Sequence, residues 1–250
     1  MIEVIEHGPV RELKLARPPV NALSPELLNA IAEHVADAPS DGVKGLVLSG
    51  REGLFTGGLD VPLLLSLDRE GLTGALEAFF GAMAALAASE VPVAAAITGH
   101  SPAGGAVLSL FCDWRVMAQG EFAIGLNEVR IGIPMPTVVA DSLARIVGRR
   151  CAEWLCQTGR MMTPDEALAL GLVDRLTPVK EVVPSAVEWC AELAELPAFA
   201  LRGTRRTVRR DLVDIVESAR RANVEELARE WFEPEVQAPL RALAAQLGKG

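Results

Sequence analysis

The chain has 250 residues (26.6 kDa), half of them hydrophobic and 23% charged, enough for one large domain with a sizeable core. Lys and Arg total 24 against 33 Asp and Glu, and the net charge of −9 opposes attraction to nucleic acid and anionic membranes, so neither is expected as a partner. Cys112, Cys151, Cys156 and Cys190 contain no C-x-x-C metal pair and MIEVIEHGPV lacks the basic and apolar regions of a signal peptide, so reduced thiols, no metal and a cytoplasmic location are expected.

In chain order, IEVIEH and VRELKLA are strand candidates separated by a hairpin turn at Gly8-Pro9. Ser24-Pro25-Glu26 combines an N-cap with proline at the first helical position and opens an amphipathic helix over 26–35. GLVLSG (45–50) is a buried strand; after a Gly-rich loop, residues 73–88 show helical spacing with many alanines. VPVAAAI (91–97) is a further strand and AGGAVLSLF a further helix, an alternation that predicts parallel strands and an α/β architecture. Residues 91–112 lack Asp, Glu, Lys and Arg and have the length of a membrane span, but Pro92, Gly99, His100, Pro102, Gly104 and Gly105 suit a buried strand, turn and helix instead. Beyond Asp141 helices dominate: 142–148, 151–158, a start at Thr163-Pro164-Asp165-Glu166, and long helices after Pro184 and Pro197 that pack on the body or on another subunit. The basic run RGTRRTVRR (202–210) reads as a solvated helix face in preference to a phosphate contact.

VAAAITGHSPAGGAVLSL (93–110) has the outline of a serine-hydrolase nucleophile elbow. Three features oppose that reading. Pro102 has no N–H to donate to an oxyanion, none of His7, His34 and His100 follows Ser101, and position 103 is Ala where the elbow has Gly. Ser101 is therefore read as a turn residue. What remains is Ala103-Gly104-Gly105 at a helix start, where unpaired N–H groups can stabilise an anion, although close helix packing explains the glycines as well. LFTGGLDV (54–61) is a second such loop, or a plain strand-to-helix loop with Asp60 as N-cap. Facing each other, the two would form an oxyanion hole.

FTGGLD, SPAGGAVLSLFCDWRVMA and FAIGLNEVRIGIP, in this order and spacing, resemble the enoyl-CoA hydratase/isomerase (crotonase) family, and within it the Δ3,Δ2-enoyl-CoA isomerase branch. The resemblance runs from PPVNALSPELL through the 142–177 region and thins in the C-terminal helices. It implies an α/β fold, a crotonase-like spiral of ββα units over residues 1–195, with a C-terminal helical region at 196–250. It also implies a homotrimer or dimer of trimers and an acyl-CoA thioester substrate, coenzyme A entering as part of that substrate with no separate cofactor. Carried over by position, it assigns the backbone N–H groups of Leu59 and Gly104 to the thioester oxygen, with Gly57, Gly58, Asp60, Ala103 and Gly105 flanking them. Asn21, Ala22 and Leu23 match the segment near the adenine end of coenzyme A. Of the two glutamates of family hydratases, the first position is Val107 here; the second is Glu128, which the isomerase branch uses as base and acid, with Asn127 as a candidate to orient it. Asp60 and Asp113 read as caps or ion-pair members.

The chemistry is consistent with one carboxylate. Hydration normally shares its proton transfers between two carboxylates, whereas moving a double bond from C3 to C2 needs one base that takes a C2 proton and returns it at C4. The apolar neighbours of Glu128 would raise its pKa toward a useful value. The reading is an isomerase of 3-enoyl-CoA esters in fatty acid β-oxidation. Its alternatives are hydration, thioester hydrolysis, and acyl-CoA binding without turnover, with Glu128 turned away or paired with Arg130. Residues 62–80 are expected to line the acyl pocket.

Overall fold

Gly8, at φ +63°, adopts the left-handed turn conformation that glycine takes without steric cost, and it closes the hairpin between β1 (Ile2–His7) and β2 (Val10–Leu15). This computed structural model describes residues 1–247. Helix α1 (Pro25–Asp37) begins where the sequence places it: the Ser24 side chain accepts the Leu27 N–H and Pro25 opens the first turn. Three strand pairs follow, each leading into helical structure: β3 (Gly45–Ser49) and β4 (Gly53–Leu54) into α2 (Val61–Ser66) and α3 (Arg69–Ala88); β5 (Val93–Ile97) and β6 (Gly99–Pro102) into α4 (Gly104–Leu110); β7 (Trp114–Ala118) and β8 (Ile124–Gly125) into a 3-10 turn (Glu128–Ile131) and α5 (Thr137–Val147). The chain continues through α6 (Arg149–Thr158), α7 (Pro164–Ala169), β9 (Arg175–Thr177), α8 (Val182–Ala194), α9 (Ala198–Val208), α10 (Arg210–Glu230) and α11 (Pro234–Leu247).

The first members of the pairs build a six-stranded sheet in the order β1-β2-β3-β5-β7-β9, parallel except for the β1–β2 hairpin; the second members build a small parallel sheet, β4-β6-β8. The chain is thus a spiral of ββα units followed by helices. Strands β3 and β5 are buried along their whole length, as expected of parallel strands covered on both faces. Alternate residues divide between two cores. Leu46, Leu48, Val93, Ala95 and Ile97 face the large one with α1 and α3, while Val47, Ala94 and Ala96 face a small one closed by α8. Trp114 and Trp189 stack at the border of the small core, with ring centroids 5.5 Å apart.

Several boundaries differ from the sequence reading for local reasons. Helix α3 starts four residues early because Asp68 caps the Gly71 N–H, and α5 starts at Thr137, directly after Pro136. Pro184 sits inside the first turn of α8, where its missing N–H has no helical partner to lose. Ser101 is a strand residue of β6 rather than a turn residue. Residues 91–112 form β5, β6 and α4; among the described residues the one helix apolar and long enough to cross a bilayer is α3, which packs against α1 and α10.

The basic run 202–210 divides in two. Arg202, Arg206 and Arg210 are exposed, but Arg205 and Arg209 are buried, contrary to a fully solvated face. Their Nη1 atoms both donate to Asp113 Oδ1, at 2.6 and 2.7 Å, while Arg205 Nη2 reaches the Ser89 carbonyl and Arg209 Nε and Nη2 reach those of Ala87 and Leu86 at the end of α3. Two arginines thus satisfy a helix C-terminus and complement its dipole. Asp113, whose Oδ2 accepts the Val93 N–H, is the ion-pair member the sequence suggested.

Candidate active site

The loop 56–60, between β4 and α2, lies against residues 20–23. Leu23 N–H donates to the Gly58 carbonyl at 2.8 Å, Asp60 N–H to the Leu23 carbonyl at 3.2 Å, and Gly57 N–H to the Val20 carbonyl at 2.7 Å. A trans peptide is planar, so pinning the Gly58 carbonyl on Leu23 turns the N–H of the same peptide, that of Leu59, the opposite way. Among the described residues it has no acceptor. Asp60 follows as the N-cap of α2: Oδ1 accepts the Leu63 N–H and Oδ2 pairs with Arg17 at 2.6 Å.

The second turn arises where β6 meets α4. Ala103 N–H donates to the Gly125 carbonyl, which ties the turn to β8, and Ala103 is held at φ +44°, a costly conformation for a residue with a Cβ. The next N–H, that of Gly104, is the first of α4 and also has no acceptor among the described residues. The two turns touch: a Cβ on Gly104 would stand 3.3 Å from the Leu59 nitrogen, and one on Gly58 would stand 3.5 Å from the Gly104 nitrogen. Gly105 serves packing instead, since a Cβ there would meet Thr56 at 2.6 Å and Ser101 Oγ at 2.8 Å. Ser101 itself is fully buried behind this contact and exposes no nucleophile.

Glu128 stands at the head of the 3-10 turn after β8. Its side chain is buried, with 8% of the residue exposed, and Oε2 has no hydrogen-bond partner among the described residues. Burial disfavours the charged form and raises its pKa from 4.5 to about 7. No hydrogen bond joins Asn127 to Glu128; the Asn127 Oδ1 is also buried without a partner, so the orienting contact considered from sequence is absent among the described residues. Arg130 donates from Nε to the Thr158 carbonyl at 2.9 Å, and Glu128 forms no ion pair among the described residues.

The family model described as enoyl-CoA hydratase/isomerase matches residues 6–241. The chain belongs to the enoyl-CoA hydratase/isomerase family. It is similar to human mitochondrial enoyl-CoA delta isomerase 1, 32% identical over 86% of this chain and 72% of that protein. It is also similar to a putative enoyl-CoA hydratase of Thermus thermophilus, 35% identical over 74% of each. The solved structure of human mitochondrial delta3-delta2-enoyl-CoA isomerase superposes with a TM-score of 0.93 at 29% identity, covering 99% of this chain and 98% of that one.

In this member of the family Leu59, Gly104 and Glu128 border one cavity of about 280 Å3, together with Gly57, Ala103 and Asn127. Gly58, Asp60 and Gly105 are not among the residues that line it. Residues 21–23 brace the 56–60 loop without lining the cavity; the carbonyls of Asn21, Ala22 and Leu23 accept from Thr56, Arg17 and Asp60. From the 62–80 segment, Leu64, Leu76 and Phe79 reach the cavity, and Val107 lines it as well. Sequence reasoning missed the far wall: Ile131, Ile133, Pro136 and Val139, with Leu227 and Trp231 from the end of α10 and Leu243 of α11. The aromatic Trp231 and the heptad-like spacing of α10 were the only local signals, and neither indicates which surface they cover.

Proposed function

We propose that the protein is an isomerase that converts 3-enoyl-CoA thioesters to the conjugated trans-2-enoyl-CoA. The observation that carries this reading is a buried carboxylate, Glu128, lining one apolar cavity with two backbone N–H groups that have no acceptor among the described residues, and with no second carboxylate among the residues that border it. The thioester oxygen binds between the Leu59 and Gly104 N–H groups. Ionised Glu128 takes a proton from C2; the electron pair of that C–H bond moves into a dienolate whose negative charge rests on the oxygen between the donors. Protonated Glu128 then returns the proton to C4, the C3=C4 π pair forms the new bond to hydrogen, and C2=C3 closes as the carbonyl reforms. A donor of this kind is worth ~10²–10³ in rate, because the charge it meets develops only in the transition state. A pKa near 7 suits a group that must both take and release a proton.

A second reading, hydration of 2-enoyl-CoA, draws support from the hydratase-named relative and opposition from Val107, since Glu128 alone would have to position the water and move its proton. Incubating the protein with 3-enoyl-CoA of several chain lengths and following the absorbance of the conjugated product, with Glu128→Gln alongside, separates them. Conversion by the parent and loss of activity in the variant supports the isomerase. No conversion of 3-enoyl-CoA, with hydration of 2-enoyl-CoA, overturns it.

A further inference from the structure

The four N–H groups of residues 57–60 differ in one respect: three are spoken for within the protein and only that of Leu59 is free among the described residues. One side chain is central to that selection. Thr56 is fully buried; its Oγ1 donates to the Asn21 carbonyl at 2.6 Å and accepts the Gly58 N–H at 3.1 Å. The Asn21 carbonyl is itself immobilised. Asn21 is held at φ +50°, a conformation asparagine tolerates, by its Nδ2 on the Phe55 carbonyl and its Oδ1 on the Arg17 N–H. The Thr56 methyl faces the other turn, being the nearest atom, at 2.6 Å, to a Cβ placed on Gly105, beside Gly104. Hydroxyl and methyl therefore touch the two turns that carry the two free N–H groups.

We infer that Thr56 is a positioning residue: its hydroxyl aims the Leu59 N–H and its methyl sets the spacing to the Gly104 N–H, so that Thr56 tunes how strongly the bound carbonyl is polarised without touching the substrate. The inference rests on the acyl-thioester reading above. Misplacement of a catalytic group by about 1 Å costs on the order of 10²-fold in rate. Thr56→Val keeps the shape and methyl but leaves the Gly58 N–H and Asn21 carbonyl without their shared partner; Thr56→Ser keeps the hydroxyl.

The test combines turnover of 3-enoyl-CoA with the absorption of bound 2,4-dienoyl-CoA, a probe whose band moves to longer wavelength as its carbonyl is polarised. Thr56→Val is expected to lower kcat by about 10- to 100-fold, less than outright loss of a donor, with KM within about threefold and a diminished red shift. The pH midpoint set by Glu128 stays in place, and Thr56→Ser recovers most of both kcat and red shift. If Thr56→Val does not fold, Thr56→Ala is read in the same way against Thr56→Ser. Parent-like kcat and red shift in Thr56→Val, or a serine variant as impaired as the valine one, overturns the inference. A parent that fails to bind the probe overturns the acyl-thioester reading itself, whereas a parent that binds and shifts it while converting no 3-enoyl-CoA overturns only the isomerase assignment.

Discussion

Replacing Glu128 by glutamine should abolish activity while removing a pH-dependent cost to stability. Burial raises the pKa from 4.5 to about 7 in the folded protein, so between these values the native state holds a proton that the unfolded chain has released. Stability from this group is therefore highest below about pH 4.5 and falls as the pH rises through the window, levelling off above about pH 7. At about 1.4 kcal/mol per pH unit, the full excursion is about 3 kcal/mol. Glutamine has no charge to desolvate, and its own amide burial is the same at every pH. The measurement is urea denaturation of parent and Glu128→Gln at pH 4 and pH 8, with the difference between the proteins compared across pH so that every other titrating group cancels. The variant should gain about 3 kcal/mol relative to the parent on going from pH 4 to pH 8. A difference that stays constant within about 0.5 kcal/mol would refute the argument that Glu128 is desolvated. The same group predicts that isomerisation rises with pH about a midpoint near 7, since the base must be ionised.

Asp113→Ala leaves Arg205 and Arg209 buried without their shared carboxylate and should cost about 3–5 kcal/mol in urea denaturation, far more than removal of an exposed partner such as Glu225, whose pairing with Arg221 lies on the surface. Gly105→Ala forces a methyl against Thr56 and Ser101 and should lower stability by about 1–3 kcal/mol. Gly104→Ala meets the flexible end of Leu23 and crowds the Leu59 nitrogen, so its main effect should fall on kcat in the isomerase assay, with a smaller change in stability. Val107→Glu adds a second carboxylate to the cavity wall and should raise the ratio of hydration to isomerisation in product analysis.

The elements legible from sequence are those whose free energy is settled within a few residues. Ser24 and Thr163 cap their helices, Asp60 caps α2, Gly8 turns the first hairpin, and the unbroken apolar runs at 45–49 and 93–97 become interior parallel strands. The order of the motifs around Leu59, Gly104 and Glu128 was enough to recognise the family. Tertiary structure decided the rest, because each remaining property depends on groups far apart in the chain. The Leu59 N–H is left free among the described residues because residues 20–23 hold the Gly57 and Asp60 N–H groups and the Gly58 carbonyl while Thr56 holds the Gly58 N–H. Arg205 and Arg209 look like a solvated basic face until Asp113 and the end of α3 are placed beside them. Glu128 has its pKa raised to about 7 by burial, in a cavity that Leu227, Trp231 and Leu243, some hundred residues later, also line; desolvation is a property of the assembled structure, and no local run of sequence contains it.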